Sequence, residues 1–184
     1  IPTDTHPKYN NKSALEVILT TLHSGGKFSN TAYEVSGGLH GVGLSVVNAL
    51  SSHLQVTVIR NKKVLAQEFS RGCPTTELSE IKFNDTFHKS KSGTIITFSP
   101  DIEIFKENIN FNPQRIYNFI NAKAYLNKNV HINWKCNPDV ISSTMDIPSE
   151  ETINYQNGII DYLAQETVDE DFIIDKKFCG ETKL

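Results

Sequence analysis

The chain has 184 residues, with 18 lysines and arginines against 21 aspartates and glutamates, so its formal charge is −3. Hydrophobic residues make up 38% and charged residues 21%, a composition typical of a globular protein with a buried core, which excludes a disordered chain. No apolar run reaches the roughly 20 residues of a membrane-spanning helix, and no secretory signal pattern is seen. Every formal charge between Asp146 and Asp171 is acidic, so this stretch would repel a nucleic-acid backbone.

Three cysteines occur in the chain, at positions 73, 136 and 179. Their odd number, their wide spacing and the lack of a Cys-x-x-Cys pair favour neither a zinc site nor a disulfide framework. We therefore expect free, buried thiols in a reducing compartment.

A helix is predicted after the polar, proline-containing segment that opens the chain. Ser13 and Glu16 have the spacing of a capping box, which satisfies backbone amides of a first helical turn. We expect this helix to end at Gly25-Gly26. Its buried stripe, at helical spacing, comprises Leu15, Ile18, Leu19 and Leu22.

Glycine-rich sequence follows up to Gly43, and the composition beyond Gly43 is that of a tightly packed helix. Alternating apolar residues then predict two strands, over 54–58 and 64–69. A turn at Asn61-Lys62 separates them, so the two strands are expected to pair as an antiparallel hairpin.

The rest of the chain predicts a mixture of strands and helices. A strand at Thr94–Phe98 precedes a helix that Pro113 can start at its first turn. The apolar positions of that helix are Ile116, Phe119, Ile120 and Tyr125. Shorter strands are predicted at 130–134, near 153 and at 172–178, with a brief helix at 159–163. Helices mixed with antiparallel strands indicate an α+β protein built as a two-layer sandwich.

The strongest chemical signal is the glycine cluster at positions 37, 38, 41 and 43. It is not a Walker A loop, because Thr21 and Phe28 stand where that loop needs a glycine and a Ser or Thr. It is not a Rossmann fingerprint, because Val46 replaces the last glycine and loop sequence precedes it. A glycine loop that runs into a helix presents backbone amides to an anion, and Lys27 would add a positive charge. This pattern alone leaves open a phosphate site and a merely structural junction of loop and helix.

Three segments closely resemble the ATPase subunits of bacterial type IIA topoisomerases, a branch of the GHKL (Bergerat) ATPase superfamily. They are Leu22–Phe28, Ser36–Gly43 and Ser45–Ser51. Ile1-Pro2 is similar to the end of that family's Asp-x-Gly-Arg-Gly-Ile-Pro motif, and Gly93-Thr94 is similar to its later Gly-Thr element. The resemblance extends over essentially the whole chain.

Within this family, some segments look more like the B subunit of topoisomerase IV than the B subunit of gyrase. They are Ser29-Asn30, Ala122–Leu126 and Phe178–Glu181. The B subunit of gyrase is the alternative from the same class.

The resemblance implies roles for individual residues. Backbone amides of the loop matching Gly37 to Gly43 are implied to hold the phosphates of ATP, with Lys27 and Tyr33 as further contacts. The full implied cofactor-binding set is Lys27, Tyr33, Gly37, Gly38, Leu39, His40, Gly41, Val42, Gly43, Ile1, Pro2, Ile18, Leu44, Thr94 and Ile96.

Four residues of this set match positions that line the adenine pocket, and they are Ile18, Leu44, Thr94 and Ile96. Thr94 is implied to contact the base through a water molecule. Core packing is an equally good account of the two isoleucines, and surface packing is the alternative for Tyr33. We expect His40 to contribute its shape and its backbone amide, because no metal-binding partner stands at ligand spacing from it.

The family's catalytic glutamate, its magnesium-holding asparagine and its adenine-reading aspartate are expected before the point that matches Ile1. We therefore expect a fragment, with no catalytic and no metal-binding residue of its own and no ATP hydrolysis by the chain alone. Residues 1–166 are expected to be part of the GHKL ATPase domain, and 167–184 a linker and the first strand of a transducer domain.

The parent enzyme implied by the resemblance uses ATP and Mg²⁺ to pass one DNA duplex through another in the bacterial cytoplasm, on the nucleoid. Its implied partners are DNA, the A subunit of topoisomerase IV, and another copy of the ATPase subunit. A non-catalytic remnant that binds nothing tightly is the alternative from a different class.

Overall fold

The structure is a computed structural model that describes residues 1–9, 12–24, 40–82, 92–168 and 180. Several sequence predictions fall outside these residues, namely those on Gly25-Gly26, the strand at 172–178 and Cys179, and the site assignments of Lys27, Tyr33, Gly37, Gly38 and Leu39. The chain divides into two compact units, which we call unit 1 (Ile1–Ile109) and unit 2 (Asn110–Leu184). No helix among the described residues is long and apolar enough to span a membrane.

The described residues of unit 1 form three α-helices and five strands. They are α1 (Ala14–Thr20), α2 (Gly43–Ala49), β1 (Ser51–Arg60), β2 (Lys63–Ser70), β3 (Cys73–Pro74), β4 (Ser79–Glu80), β5 (Gly93–Pro100) and α3 (Ile102–Phe105), followed by a 3₁₀ turn at Lys106–Ile109. The strands form one antiparallel sheet in the order β3-β2-β1-β5, and β4 also pairs with β2.

The predicted hairpin is confirmed, with β1 and β2 joined by a two-residue turn. Arg60 pairs with Lys63 at its end, and Asn61 and Lys62 have φ angles of 52° and 63°. Two consecutive residues with positive φ make a turn whose twist matches that of the flanking strands. The hairpin is therefore set by local sequence, and β5 extends it on the other side of β1.

The core of unit 1 lies between the sheet and helices α1 and α2. Its fully buried side chains are Leu15, Leu19, Leu54, Val56, Val58 and Phe69. Ile1, Leu44, Val47, Leu78 and Ile96 pack against this cluster from its partly exposed rim. The alternation predicted for β1 thus places its apolar face on the helices.

Helix α1 starts as predicted but ends earlier than expected. The Ser13 hydroxyl accepts the amide of Glu16 at 3.0 Å, whereas the helix stops at Thr20, and Leu22 is 59% exposed. The Ser24 hydroxyl donates to the carbonyl oxygens of Val17 and Thr21, at 3.2 and 2.8 Å, and so caps the end of the helix. Including Leu22 in the buried stripe was therefore wrong.

The loop from β5 to α3 is fixed by one buried carboxylate. Asp101 accepts the amide of Glu103 at 3.0 Å and lies 2.6 Å from Nε of Arg71. Hydrogen bonds to Glu103 and Asp101 raise the pKa of Arg71, which keeps the guanidinium charged.

In unit 2, the residues that the structure describes form two α-helices and one two-stranded sheet. They are α4 (Pro113–Tyr125), β6 (Ile132–Lys135), a 3₁₀ turn at Pro138–Val140, β7 (Glu150–Ile153) and α5 (Ile159–Glu166), with β6 and β7 antiparallel. The proline in the first turn of α4 and the Asn112 side chain, which accepts the amide of Arg115 at 3.1 Å, start the helix where the sequence predicts.

The buried face of α4 matches the predicted one only in part, since Ile120 and Tyr125 are covered as predicted and the other two positions are not. Ile116 and Phe119 are 37% and 62% exposed, whereas Tyr117 and Ile120 pack against a small core of Ala124, Trp134 and Ile153. Val130 lies outside β6 and is exposed. In α5 the apolar residues are exposed too, and they are Ile159, Ile160 and Leu163. A two-stranded sheet offers little area for these helices to cover.

The expectation of buried thiols is wrong for Cys73, which is exposed, and holds only in part for Cys136, which is half-buried. Cys73 lies on the short strand β3 at the edge of its sheet.

Candidate functional site

The chain between α1 and α2 carries the glycine cluster, and side-chain hydrogen bonds hold the two helices together. Asn48, fully buried on α2, donates from Nδ2 to the carbonyl oxygen of Leu19 at 3.0 Å. The backbone carbonyl oxygen of Asn48 accepts the amide of Gly72 at 3.1 Å. The position of α2 is thereby fixed against both α1 and the end of β2.

A second hydrogen bond joins the chain just after α1 to the chain just before α2. Nδ1 of His23 lies 2.8 Å from the carbonyl oxygen of His40. A carbonyl oxygen only accepts, so Nδ1 carries the proton and donates. His23 has a φ of 58°, in the left-handed region that few residues other than glycine adopt.

The described part of the glycine cluster consists of Gly41 and Gly43. Gly41 has a φ of 62°, which favours glycine, and Gly43 is the exposed first residue of α2. A Cβ placed on Gly43 would meet no described atom within 4 Å. Val42 caps α2 without a side-chain hydrogen bond, so no described side chain satisfies the amides of the first turn. Among the described residues, the segment thus has open space beside backbone amides that no side chain caps.

At the start of β5 a cavity of about 440 Å³ opens to solvent. Its described lining is Ile1, Pro2, Val58, Ile59, Arg60, Ser92, Gly93 and Thr94. The amino nitrogen of Ile1 donates to the hydroxyl oxygen of Thr94 at 3.3 Å. Arg60, Ser92 and Thr94 are the lining residues with polar side chains.

The structure brings some of the sequence-predicted residues together and not others. Ile1, Pro2 and Thr94 share the cavity, whereas Ile1, Leu44 and Ile96 border the same apolar core. Ile18 is half-buried on α1 and is absent from the described lining of the cavity, as is the segment Gly41–Gly43.

Sequence reasoning missed three residues near these features. Arg60 and Ser92 line the cavity, and His23 bonds the backbone beside Gly41. No local pattern marks Arg60 or Ser92. The only signal at His23 is its place in a segment that was recognised by resemblance as a whole.

Unit 2 has a separate groove of about 940 Å³, lined by tyrosines, amides and carboxylates. Tyr125 and Tyr155 stack with ring centroids 3.7 Å apart. The hydroxyl of Tyr155 donates to Asn121 at 2.9 Å, and that of Tyr125 donates to Gln165. Burial raises the pKa of Tyr125 above its ordinary value, and the hydrogen bond with Tyr155 raises it further. No sequence prediction pointed to this groove.

The described residues offer no group of three or more His, Cys, Asp or Glu side chains that would hold a metal ion.

Comparison with known proteins identifies relatives over almost the whole chain. No family model matches. The chain is 49% identical over 180 residues to the B subunit of DNA topoisomerase 4 of Rickettsia felis, an alignment that covers 98% of the chain and 26% of the relative. It thus spans about a quarter of the length of the curated relatives that it matches.

The solved structures that the chain resembles are ATPase domains of related proteins. The chain matches the 43K ATPase domain of Thermus thermophilus gyrase B with a TM-score of 0.71 and 32% identity, over 96% of this chain and 40% of that one. It matches the topoisomerase IV ATP-binding domain of Francisella tularensis with a TM-score of 0.66 and 34% identity, over 97% of this chain and 44% of that one. The expected fold class, a GHKL ATPase domain of mixed helices and sheet, is confirmed.

Proposed function

We propose that this chain, a homologue of the B subunits of DNA topoisomerase 4 and of DNA gyrase, supplies much of the ATP-binding domain of a bacterial type IIA topoisomerase. The observation that carries the proposal is the sequence identity of 49% between this chain, over nearly its whole length, and a B subunit of DNA topoisomerase 4. The relatives whose structures are solved are ATPase and ATP-binding domains. The proposed boundaries are residues 1–166 for this domain and 167–184 for a linker and the start of the next.

The phosphates of ATP are assigned to the segment Gly37–Gly43, with Lys27 and Tyr33 as further contacts. Support comes from the start of α2, where no described side chain caps the amides and no described atom lies near a Cβ added to Gly43. Glycine lets a backbone amide approach a phosphate oxygen closely, because no side chain stands in the way. The amides would donate hydrogen bonds to the negatively charged phosphate oxygens and exclude water from one side of them.

The base of the nucleotide is assigned to the residues Ile1, Pro2, Ile18, Leu44, Thr94 and Ile96. Three of these residues border the apolar core of unit 1 and three share the cavity at the start of β5. An apolar surface with one hydroxyl suits a flat heteroaromatic ring, since the ring buries its faces while the hydroxyl reads a polar edge.

Mg²⁺ accompanies ATP in phosphoryl transfer, where it neutralises charge on the phosphates. The described residues provide no group of three or more His, Cys, Asp or Glu side chains for the ion. No step of the proposal depends on it.

The whole enzyme is proposed to couple ATP hydrolysis to passage of one DNA duplex through another. Its ATPase subunit would dimerise and work with the A subunit of topoisomerase IV. Topoisomerase IV is favoured over gyrase because of the segments Ser29-Asn30 and Ala122–Leu126, and because the identity to a B subunit of DNA topoisomerase 4 reaches 49%. Identity to the B subunit of DNA gyrase from Synechocystis is 42%.

The test uses the full-length gene product. Isothermal titration with a non-hydrolysable ATP analogue should show binding, and DNA should stimulate ATP hydrolysis. With the A subunit from the same organism, the protein should separate linked DNA circles. It should not introduce supercoils into relaxed circles. Introduction of negative supercoils would identify a gyrase. Absence of nucleotide binding would favour the alternative, a non-catalytic remnant.

A further inference from the structure

The hydrogen bond from His23 to the carbonyl of His40 spans 17 residues and lies beside the proposed phosphate segment. Both of its ends are exposed, so it does not serve a buried core. The buried bond from Asn48 to Leu19 already joins the two helices. The His23 bond therefore adds little to their packing and acts on the chain that enters α2.

The rigidity of the peptide unit gives this bond a further effect. The carbonyl of His40 and the amide N–H of Gly41 belong to one planar unit, and no described peptide bond is cis. In a trans unit the C=O and N–H point to opposite sides. By holding the carbonyl, His23 fixes the Gly41 amide so that it points away from His23.

The backbone on both sides of the bond is held in uncommon conformations. His23 and Gly41 both have φ near 60°. For a residue with a side chain this conformation costs on the order of 1 kcal/mol and persists where the surroundings require it. Histidine, like asparagine, is among the side chains that tolerate it best.

We propose that His23 is a positioning residue that orients the backbone amide of Gly41 toward the phosphates of a bound nucleotide. This inference rests on the proposed function, because it presumes the phosphate segment. His23 itself touches no substrate in this scheme. It acts through the peptide unit that joins His40 to Gly41, in either charge state of its ring, since both forms can donate from Nδ1.

Two substitutions separate the hydrogen bond from the backbone conformation. His23→Asn places an amide donor close to where Nδ1 lies and tolerates positive φ. His23→Gly tolerates positive φ equally well but has no donor. Binding of a non-hydrolysable ATP analogue and of adenosine is measured for the full-length gene product and both variants, with thermal unfolding as the check on folding.

We expect His23→Gly to weaken binding of the ATP analogue roughly two- to tenfold, the size of one hydrogen bond, and to leave adenosine binding unchanged. His23→Asn should bind the analogue within about twofold of the original protein. Loss of adenosine and analogue affinity in equal measure, no loss in the glycine variant, or no recovery in the asparagine variant overturns the inference. Failure of the unsubstituted protein to bind the analogue overturns the proposed function itself, and this inference with it.

Discussion

Unit 1 and unit 2 hold their interiors together in different ways. Unit 1 buries a contiguous group of aliphatic side chains and Phe69 between a sheet and two helices. Unit 2 buries fewer apolar side chains among its described residues, namely Ala124, Tyr125, Trp134 and Ile153, and relies on polar side-chain bonds around them. Apolar burial stabilises in proportion to area, whereas a hydrogen bond stabilises only while both partners keep their protonation and geometry. Unit 1 should therefore respond most to lost volume, and unit 2 to lost or ionised hydroxyl groups.

The largest effect is expected from truncation of Phe69, a fully buried side chain on β2. Phe69→Ala should lower the free energy of unfolding by about 3–5 kcal/mol, because it removes apolar contacts and leaves a cavity. The matched control is Phe119→Ala on α4, whose ring is 62% exposed and which should cost less than about 1 kcal/mol. Urea unfolding followed by far-ultraviolet circular dichroism measures both. Similar losses would mean that the two units are packed alike.

A smaller effect is expected at Asp101, the buried carboxylate of unit 1. Asp101→Ala should cost about 1–2 kcal/mol, because it removes the cap of α3 and the ion pair with half-exposed Arg71. Asp101→Asn keeps an oxygen for the cap and should cost about half as much. The same urea titration decides between them, and an asparagine variant as unstable as the alanine variant would assign the effect to the charge instead.

The smallest effect is a pH dependence in unit 2. Burial, and then the hydrogen bond with Tyr155, raise the pKa of Tyr125 above that of the unfolded chain. The folded state thus holds the phenolic proton more tightly. The resulting stabilisation is complete below the unfolded pKa of about 10 and is lost as the pH rises from there through the folded pKa.

Trp134, the single tryptophan, lies in unit 2 and reports this loss. The urea midpoint from its emission maximum should fall above about pH 10. The fall should be smaller in Tyr125→Phe, and Tyr162→Phe, which alters a half-exposed tyrosine, is the control. An identical alkaline fall in all three proteins would show that Tyr125 does not link unit 2 to pH.

The sequence predicts those parts of the fold that depend on local signals. The hairpin follows from alternation and from Asn61-Lys62, and the start of α1 follows from Ser13. The end of α1 does not, because it depends on a side-chain cap from Ser24. Part of the buried face of α4 is not predicted either. Ile116 and Tyr117 are both apolar enough to face the core, and the position of β6 and β7 decides that Tyr117 does so.

The candidate site divides in the same way. Gly41 and Gly43 stand out in the sequence because of their spacing, and the resemblance gives them a role. The bond between His23 and His40 crosses a long stretch of chain and leaves no local pattern. Arg60 and Ser92 meet at one cavity because β1 and β5 pair, which composition does not reveal.

Gly43 gives the most direct test of the phosphate assignment. Its added Cβ meets no described atom, and alanine favours a helix more than glycine does, so Gly43→Ala should leave the free energy of unfolding unchanged within about 0.5 kcal/mol or raise it. Affinity of the full-length gene product for a non-hydrolysable ATP analogue should nevertheless fall roughly tenfold or more, because the methyl group occupies space assigned to a phosphate. Unchanged affinity in a stably folded Gly43→Ala protein would contradict the account.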